Sequence, residues 1–360
     1  MDNKSLMKDM LAELSLKIRD VDFNGRDVVV WGAGETASRC EETFRRYGIR
    51  PICFVDSAAK KQGNLFFGHN VFSPDHLREI ENPIVLISSG NIRFTDEIRS
   101  ELKKMGLTHF TAEEYFFGKN AARLIMAADM LCDDRSVEVY CGIIISLLNN
   151  RLPGAGTVSE NTYFVLPEFK KIVTGDVFVN LGAYKGEEIE KYLEYCKGKR
   201  FGKIVSFEPD KDSYAELLSF VDGLNDKWGL EEGRLQCVMA GAGDVTKRSF
   251  LISRGPSSMV GDTADEGGLS IDVYSLDDFM PNGRVDFIKA DIEGFELRML
   301  HGAKDLIIRN APKIAVSIYH RPADYFEIIE YLSELVPEYV FSVRHHTDKF
   351  MDTVLYAYKK

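Results

Sequence analysis

The sequence predicts an α/β protein built from two doubly wound domains. Two segments begin alike, because DVVVWGAGETAS at 27–38 and DVFVNLGAYKGEEIEKYL at 176–193 both run from a β-branched strand through a glycine-rich turn into a helical stretch. Each is followed by another short apolar strand, ICFV at 52–55 or KIVSF at 203–207. Strands that alternate with helices form parallel sheets. A chain of 360 residues is also long enough for two such domains.

The composition is that of an ordinary globular protein, with 45% hydrophobic residues. The formal net charge of −11 argues against broad docking on nucleic acid or anionic lipid, so neither is expected as a partner. The six cysteines are scattered without a CxxC pair, which predicts reduced thiols and a cytoplasmic protein rather than a zinc site or a disulfide framework. No apolar run approaches a signal-peptide core or a membrane span, so no membrane insertion is expected.

The first predicted domain covers residues 1–118. Apolar residues at helical spacing predict that it opens with an amphipathic helix packed on the body. These residues are Leu6, Met10, Leu14 and Ile18. After the two strands already named, the third is IVLIS at 84–88, and LTHF at 107–110 is a short fourth. The sequence therefore predicts a small Rossmann-like domain.

Residues 119–170 show no alternation of strands and helices. They contain one helical stretch, AARLIMAADML, followed by the Gly/Pro/Asn-rich passage NNRLPGAGTVSENTYF. We interpret them as a helical linker and a cap over the second domain. Tyr163 and Phe164 in this segment either cover an acceptor or cofactor or serve only as packing residues.

The second predicted domain covers residues 171–360. Its further strands are RLQCVMA at 234–240, SFLIS at 249–253, VDFIKA at 285–290, KIAVSIY at 313–319, EYVFSVRHH at 338–346 and DTVLYAYK at 352–359. The last two are separated by a few residues and predict an antiparallel hairpin. A mostly parallel sheet that ends in such a hairpin is the layout of the class I methyltransferase fold.

Polar residues follow nearly every strand of the second domain. In order along the chain they are Asn180, the loop Gly182-Ala183-Tyr184-Lys185-Gly186, Glu208-Pro209, Ala240-Gly241, Asp291-Ile292-Glu293, His320, and His345-His346 in the turn of the hairpin. Open α/β sheets bind ligands at the carboxyl ends of their strands. The sequence therefore predicts one binding site along this edge.

The loop GAYKG and Glu208 together indicate a nucleoside-type ligand. Glycines allow a tight turn and close approach of the backbone to a ligand. Glu208 lies 26 residues after Gly182, where a carboxylate binds a ribose diol. The plainer alternatives are a turn without a ligand and a solvated glutamate. Because the loop lacks the pyrophosphate pattern G-x-G-x-x-G, an adenosine ligand without pyrophosphate is favoured, and S-adenosylmethionine is one.

Five motifs in one order make the prediction more specific. They are GAYKG, VSFEPDKDSYAELL, VMAGAGD, YSLDDF and VDFIKADIEGFELRMLHGAKDLI. In this order they resemble the FkbM family of S-adenosylmethionine-dependent methyltransferases over roughly residues 160–360. DIEGFE is the most specific part of the resemblance, and FEPD supports it. The resemblance implies a class I methyltransferase fold and methylation of hydroxyl oxygens on sugars or natural products.

The resemblance also implies roles for individual residues. Gly182, Ala183 and Gly186 would line the methionine and ribose side of the cofactor, Glu208 followed by Pro209 would hold the ribose, Ala240 would lie near the adenine, and Asp291 and Glu293 would face the reacting end. The family usually has Asp where this chain has Asn180 at the end of the first strand. Asn180 still forms hydrogen bonds but adds no charge near the sulfonium, which puts the affinity for the cofactor in question.

Transfer of a methyl group to a hydroxyl requires a proton acceptor beside the acceptor oxygen. The candidates on this edge are Asp291, Glu293, His320, His345 and His346. His320 is the first choice, because an imidazole with a pKa near 6.5 is a suitable base and the residue directly follows the fifth strand. Structural hydrogen bonding is the alternative for His320, and a solvated turn is the alternative for the His345-His346 pair.

A divalent metal is a further alternative, held by Asp291, Glu293, His320 and His346. No spacing in the sequence requires a metal, so metal ligands are not predicted.

The N-terminal GAGETA at 32–37 reads as G-x-G-x-x-A, and Asp56 follows Gly34 by 22 residues. This is the spacing of dinucleotide-binding loops, and Ser88-Ser89-Gly90 after the third strand would complete such a site. The alternatives are binding of a nucleotide or nucleotide sugar and a scaffold role in which this domain forms a homo-oligomer. No residue of the domain suggests hydride transfer.

The leading hypothesis is an S-adenosylmethionine-dependent O-methyltransferase whose partner is a small-molecule or glycan acceptor, with a hydroxyl of a sugar, glycan or natural product as the target. The second is a catalytically weak scaffold protein that binds a nucleotide or nucleotide sugar, and it depends on Asn180. The third is an NAD-linked oxidoreductase built on GAGETA, which is disfavoured because most of the polar edge lies in the other domain.

Overall fold

The computed structural model describes residues 2–21, 25–197, 200–252, 259–261 and 269–360. The first part of the chain forms α1 (Asn3–Asp20), β1 (Val28–Trp31), α2 (Glu35–Arg46), β2 (Pro51–Val55), β3 (Leu65–Phe66), β4 (His69–Phe72), β5 (Ile84–Ile87), α3 (Ile92–Lys104), β6 (Thr108–Thr111) and α4 (Ala112–Lys119). Short 3-10 turns lie at Ala59–Lys61 and Pro74–Glu79.

Six strands form the first sheet in the order β3-β4-β2-β1-β5-β6. The four strands predicted from the sequence, β1, β2, β5 and β6, pair in parallel, and the hairpin β3–β4 adds an unpredicted edge. All residues of β5 are buried, as expected for the middle of a sheet covered on both faces. The predicted doubly wound domain is therefore present.

The predicted apolar stripe of α1 is shifted by one residue at the start of the helix and is correct at its end. Met7, Leu11 and Ile18 are buried, whereas Leu6 is 38% exposed. Met7 and Leu11 pack in the hydrophobic core of the second sheet, and Ile18 packs in that of the first. The helix thus contacts both cores, a relationship that spacing alone does not define.

Two long helices occupy the predicted linker, where the sequence suggested one. The segment contains α5 (Ala121–Asp129), α6 (Asp134–Leu148), a 3-10 turn at Ala155–Thr157 and α7 (Pro167–Lys170). Asp133 begins α6 by accepting a hydrogen bond from the backbone N–H of Ser136 at 2.8 Å. The buried side chains of α5 and α6 belong to the core of the second sheet. The domain boundaries at 118 and 170 stay a prediction.

The remaining chain forms β7 (Val177–Leu181), α8 (Glu187–Cys196), β8 (Lys203–Phe207), α9 (Lys211–Trp228), β9 (Leu235–Val238), β10 (Gly241–Ala242), β11 (Lys247–Ile252), β12 (Met259–Gly261), β13 (Leu269–Tyr274), α10 (Leu276–Phe279), β14 (Phe287–Ala290), α11 (Glu296–His301), α12 (Lys304–Asn310), β15 (Lys313–Ser317), α13 (Asp324–Leu335), β16 (Val340–His345) and β17 (Thr353–Tyr358).

The main sheet of this part has seven strands in the order β16-β17-β15-β14-β7-β8-β9. Strands β15, β14, β7, β8 and β9 are parallel, and β16 and β17 form the predicted antiparallel hairpin. Side chains alternate across β7, so that Phe178 packs on one face and Val179 and Leu181 pack on the other. Helices therefore cover both faces, and the carboxyl ends of the central strands are left to form a site.

One predicted strand lies elsewhere. The segment SFLIS at 249–253 falls in β11, which pairs antiparallel with β13 in a separate four-stranded sheet of order β10-β13-β11-β12, and residue 253 lies outside the described part. Its apolar composition resembles that of a central strand of the main sheet. In the structure, however, it pairs with β13, which follows later in the chain. Among the described residues, no helix is both long and apolar enough to cross a bilayer.

Candidate active site

A cavity opens at the carboxyl ends of β7, β8, β9 and β14. It is lined by Gly182, Tyr184, Phe207, Glu208, Pro209, Ala240, Gly241, Ala242, Val260, Asp291, Ile292, Glu293 and Phe295. Six of the predicted site residues are among them: Gly182, Glu208, Pro209, Ala240, Asp291 and Glu293. The apolar wall formed by Phe207, Ile292 and Phe295 is not evident from the sequence, because two separate segments supply it.

Gly182 is the tightest point of the loop that follows β7. Its φ is +70°, and a Cβ added there would lie 1.9 Å from the carbonyl oxygen of Asp291. Only glycine therefore lets this loop approach the end of β14 so closely. The backbone N–H groups of Gly182 and Ala183 donate to the carbonyl of Phe207 at 3.1 and 2.9 Å, which ties the loop to β8.

Glu208 holds the same loop from the other side of the cavity. Its Oε2 accepts from the backbone N–H of Tyr184 at 2.8 Å, and its Oε1 accepts from that of Asp210 at 3.0 Å. The residue is 7% exposed, and burial raises the pKa of its carboxyl. Each carboxylate oxygen can accept more than one hydrogen bond, so both retain capacity toward a ligand.

Three predicted cofactor contacts, Asn180, Ala183 and Gly186, do not line the cavity. Asn180 and Ala183 are fully buried. A Cβ on Gly186 would lie 2.9 Å from the side chains of Leu217 and Phe220, so this glycine serves helix packing. Their predicted contacts with the cofactor stay a prediction.

Asn180 lies on the face of β7 that also carries Phe178, in register with Ser206 of β8 and Lys289 of β14. Its amide nitrogen and oxygen have no hydrogen-bond partner among the described residues. Asn180 does not line the cavity. Its position therefore gives no support to the second hypothesis, a catalytically weak scaffold protein.

Lys289 is a site residue that the sequence analysis missed. It is 2% exposed, and its Nζ donates to the carbonyls of Leu181 at 3.2 Å and Gly182 at 2.7 Å. The ammonium also lies 5.0 Å from the centre of the Tyr163 ring. A charged residue inside the apolar run VDFIKA was the sequence feature that could have identified Lys289. Its ammonium binds the backbone of the glycine loop that follows β7.

Four titratable side chains meet where β14 and β15 end. We call Asp291, Glu293, Glu296 and His320 the carboxylate–histidine cluster. His320 Nε2 lies 3.6 Å from Asp291 Oδ1 and 3.5 Å from Glu293 Oε2, and His320 Nδ1 lies 2.8 Å from Glu296 Oε1. The structure thus brings three of the predicted catalytic residues together. Glu296, the last residue of DIEGFE, was overlooked because it begins α11 and reads as part of a helix.

Exposure differs within the cluster. The side chains of His320 and Glu296 are 0% exposed, whereas those of Asp291 and Glu293 are 23% and 18% exposed. Oε1 of Glu296 also accepts from the backbone N–H of Ile292 at 2.8 Å. The buried pair therefore supports two carboxylates that reach the cavity. Glu293 has a φ of +58°, a strained conformation for a residue with a side chain.

Two tyrosines orient Asp291. Tyr163 donates its hydroxyl to Oδ2 at 2.7 Å, and Tyr319 donates to Oδ1 at 3.3 Å. Tyr163, predicted as a cover or a packing residue, is 4% exposed and packs in the same hydrophobic core as Phe164, which is fully buried. Burial favours the neutral acid, but the charges of His320 and Lys289 outweigh it and lower the pKa of Asp291.

The pKa of His320 differs from the value near 6.5 that the sequence analysis assumed. Burial opposes its charged form, but the Glu296 carboxylate, together with Asp291 and Glu293, raises the pKa of His320 to about 9. Its imidazole is therefore protonated at neutral pH. Burial raises the pKa of Glu293 despite the opposing charges of His320 and Arg39. Proton acceptance by His320 requires alkaline pH or a positive charge nearby.

His345 and His346 lie apart from the cluster. His345 is the last residue of β16 rather than part of a turn, and its Nδ1 lies 2.9 Å from Thr353 Oγ1. His346 bonds through its ring to the carbonyl of Ser159 at 2.8 Å and to the hydroxyl of Tyr356 at 3.0 Å. Burial lowers the pKa of His346 to about 4. His346 is not among the described residues whose ligand atoms meet at His320, because its ring bonds to Ser159 and Tyr356, and its catalytic role stays a prediction.

Among the described residues, Asp291, Glu296 and His320 offer ligand atoms within 4.8 Å of one another. Mixed carboxylate and imidazole donors suit a divalent ion. Nδ1 of the imidazole, however, already lies 2.8 Å from Glu296 Oε1, so a metal bound there would have to displace this ion pair. Of the four ligands considered from the sequence, Glu293 and His346 are not in this set.

Arg39 of α2 connects the N-terminal part of the chain to the cluster. Its guanidinium lies 2.6 Å from Glu293 Oε2 and 2.6 Å from Glu35 Oε1. Arg39 and Glu293 are each 18% exposed at their side chains. An N-terminal residue therefore fixes one of the two carboxylates that reach the cavity, although the two are 254 positions apart.

The N-terminal GAGETA loop is built like the loop of the second domain. Asp56 Oδ2 accepts from the backbone N–H of Ala33 at 2.9 Å and from Lys61 Nζ at 2.8 Å, and its Oδ1 accepts from the N–H of Ala58 at 2.9 Å. These bonds lower the pKa of Asp56 although burial opposes them. Asp56 thus fixes the loop in place, as Glu208 does in the second domain.

Comparisons with known proteins agree with this geometry. Residues 180–342 match the family model described as the methyltransferase FkbM domain, and residues 24–110 match the one described as C2185-like, N-terminal. The resemblance found in the sequence is confirmed. The chain carries an FkbM methyltransferase domain behind a C2185-like N-terminal domain.

One solved structure supports the fold, and two others are similar only at a low level. The methyltransferase FkbM from Methylobacillus flagellatus KT is 22% identical with a TM-score of 0.57, and the match covers 99% of this chain and 100% of that one. An rRNA methylase from Streptococcus thermophilus is 10% identical with a TM-score of 0.35, over 56% and 99% of the two chains. An SAH-bound methyltransferase from Podospora anserina is 14% identical with a TM-score of 0.29, over 67% and 96%. The first match extends the shared fold to nearly the whole chain.

Proposed function

We propose that this protein is an S-adenosylmethionine-dependent O-methyltransferase that acts on a hydroxyl of a sugar, glycan or natural product. The proposal is carried by one observation: the cavity at the ends of β7 and β8 meets the carboxylate–histidine cluster at Asp291 and Glu293. A site for a nucleoside and a site for proton transfer are thereby adjacent. The FkbM domain match supports the reaction class.

The residues of the cavity fit the proposed cofactor. Glu208 would accept hydrogen bonds from the ribose hydroxyls through its remaining lone pairs. Phe207, Ala240 and Ala242 offer an apolar slot for the adenine. Asp291 and Glu293, at the other end of the cavity, would face the sulfonium. When bound, S-adenosylmethionine would supply a methyl group on a positively charged sulfur. The acceptor oxygen would attack the methyl carbon, and the sulfur would leave with the electron pair of the carbon–sulfur bond.

Asp291 and Glu293 are the members of the cluster that would reach an acceptor hydroxyl, because they are partly exposed. His320 lies behind them and would take the proton in its neutral form. With its pKa at about 9, the neutral fraction at pH 7 is about 1%. A sulfonium next to the cluster would lower that pKa, because like charges disfavour protonation. Binding of the cofactor would thus prepare the base.

Isothermal titration with S-adenosylhomocysteine tests the cofactor assignment. We expect Glu208→Ala to weaken binding at least tenfold, or about 1.4 kcal/mol, since it removes the ribose acceptor. The matched control is Glu216→Ala, which removes an exposed carboxylate paired with Lys185. Unchanged affinity in Glu208→Ala would refute the ribose assignment, and absence of binding to the parent protein would refute the proposed function.

The acceptor class is tested by release of S-adenosylhomocysteine from S-adenosylmethionine. A panel of glycosides, nucleotide sugars and amines separates oxygen from nitrogen acceptors. We expect turnover with a hydroxyl compound and analysis of the product by mass spectrometry to locate the methyl on oxygen. Turnover confined to amines would contradict O-methylation.

A further inference from the structure

Two further cavities join the carboxylate–histidine cluster to the N-terminal domain. We call the first, of about 930 Å³, the interdomain cleft; its lining includes Arg39, Tyr319, His320, Tyr325 and Phe350. We call the second, of about 550 Å³, the loop cavity; its lining includes Gly34, Asp56, Lys61, Ser88 and Phe94. Both are lined by Glu35, Thr36, Ser89 and Glu97. They therefore form one trough that runs from the GAGETA loop to His320.

The start of α2 gives the trough an anion-binding character at its middle. Helix α2 has 12 residues, and Gly34 at its N-cap provides no side-chain hydrogen bond, so the first backbone N–H groups of the helix have no side-chain cap. The Nζ of Lys61 lies 3.3 Å from the position that a Cβ on Gly34 would take. Helix N–H groups next to an ammonium are a typical phosphate site.

Ser88 provides a separate indication of a ligand at the same place. The residue is 5% exposed, it lines the loop cavity, and its Oγ has no hydrogen-bond partner among the described residues. A buried hydroxyl without a partner is costly, and a ligand that bonds to it would remove that cost. Gly32 allows the GAGETA loop to approach Ser88 closely, because a Cβ on Gly32 would lie 2.2 Å from the carbonyl oxygen of Ser88.

The outer end of the loop cavity offers an aromatic surface. Phe94 of α3 lines it and is 56% exposed. An exposed ring beside a phosphate site is suited to stack on a nucleobase.

Two of the acidic residues in the lining are paired with arginines, since Glu35 lies 2.6 Å from Arg39 and Glu97 lies 2.9 Å from Arg93. Their charges oppose a phosphate less for that reason.

The inner end of the trough adjoins the cofactor cavity at the carboxylate–histidine cluster. Tyr319 and His320 line the interdomain cleft, while Asp291 and Glu293 line the cofactor cavity. Tyr319 donates to Asp291 at 3.3 Å, so the linings of the two spaces are in contact. An in-line displacement requires the acceptor and the leaving sulfur on opposite sides of the methyl carbon, and an acceptor in the cleft and a cofactor in the cavity would approach that carbon from different spaces.

We propose that the trough binds a nucleoside diphosphate sugar as the methyl acceptor. The diphosphate would lie at the start of α2 with Lys61 and Ser88, the base on Phe94, and the sugar in the interdomain cleft. This inference rests on the proposed function and specifies its substrate class. In the step, the sugar oxygen bonds to the methyl carbon, the carbon–sulfur bond breaks with its electron pair on sulfur, and the hydroxyl proton passes to the cluster.

Titration of the full chain with UDP, GDP, dTDP and ADP tests the inference without knowledge of the sugar. We expect at least one of them to bind, and Lys61→Ala and Ser88→Ala each to weaken that binding at least tenfold. The matched control is Lys60→Ala, which removes an exposed ammonium one position away. Lys61→Arg should retain part of the affinity. Titration with S-adenosylhomocysteine shows that each variant is folded.

The outcomes separate this inference from the proposed function. Binding of S-adenosylhomocysteine without binding of any nucleoside diphosphate would overturn the inference and leave the methyltransferase proposal intact. Equal losses in Lys60→Ala and Lys61→Ala would also overturn it. Glu208→Ala should lose affinity for S-adenosylhomocysteine and keep that for the nucleoside diphosphate. Loss of both affinities in Glu208→Ala would mean that the nucleotide occupies the cofactor cavity, contrary to the inference.

Discussion

Nδ1 of His320 lies 2.8 Å from Oε1 of Glu296, and both side chains are 0% exposed. A buried imidazole normally favours its neutral form, but this carboxylate reverses the preference and raises the pKa of His320 to about 9. Asp291 and Glu293 lie within 3.6 Å of the other ring nitrogen. The protonation of one histidine is therefore set by three carboxylates of the segment DIEGFE.

The first prediction concerns the pH dependence of turnover. If His320 takes the proton in its neutral form, kcat/KM should rise with pH toward about 9, the pKa of the free protein. Glu296→Gln should move this rise to lower pH, because it removes the carboxylate that most raises the pKa. The measurement is a pH–rate profile of both proteins with a common acceptor. A profile that stays unchanged in Glu296→Gln would contradict the role of the pair.

The second prediction concerns stability. The pKa of His320 is raised from 6.5 to about 9 on folding, so its protonated form stabilises the folded state. That contribution is complete below pH 6.5 and is lost as pH rises through 9, by on the order of 3 kcal/mol. Burial next to Glu296 raises the pKa of Asp324 to about 8. This shift also makes the free energy of unfolding fall as pH rises, but over a lower pH range than the contribution of His320.

Urea unfolding at pH 6.5, 8 and 9.5 measures this decline. His320→Gln should be less stable than the parent at pH 6.5 and should lose the part of the decline between pH 6.5 and 9. A parent protein whose free energy of unfolding rises over that range would show that the cluster is not protonated as described.

The third prediction separates close approach from backbone strain at a glycine. Gly182 has a φ of +70° and would place a Cβ 1.9 Å from a backbone oxygen, whereas Gly175 has a φ of +88° and no atom within 4 Å of an added Cβ. We expect Gly182→Ala to destabilise by about 3 kcal/mol or more and Gly175→Ala by about 1 kcal/mol. Gly182→Ala should also reduce affinity for S-adenosylhomocysteine, as measured by titration, while Gly175→Ala should not.

The fourth prediction concerns the contact between the two domains. Arg39→Ala leaves Glu293 without its guanidinium partner at 2.6 Å. We expect turnover to fall roughly tenfold or more, because an oriented carboxylate is lost, with little change in affinity for S-adenosylhomocysteine. Arg248→Ala is the matched control, since that arginine is 82% exposed and pairs only on the surface. Equal turnover in Arg39→Ala and the parent would refute a role for the N-terminal domain in the site.

Much of the site was predictable because strand order makes distant residues neighbours. Gly182, Glu208 and Asp291 directly follow a strand, Ala240 lies two residues after one, and parallel strands end on one edge of a sheet. Asn180 and His346 show the limit of that reasoning. A strand ending gives the position of a residue but not the face toward which its side chain turns, and burial beside Ser206 or a bond to Ser159 decided those directions.

The sequence by itself determined the two parallel sheets, the terminal hairpin and the edge on which polar residues gather, since these depend on local periodicity and on glycine and carboxylate spacing. Only the tertiary structure decided which groups act together. Arg39 and Glu293 are 254 positions apart, and Glu296 becomes a partner of His320 only when the start of α11 and the end of β15 meet in the folded chain. Charges interact through space, so the pKa of His320 follows from the packing of segments that no pattern in the chain connects.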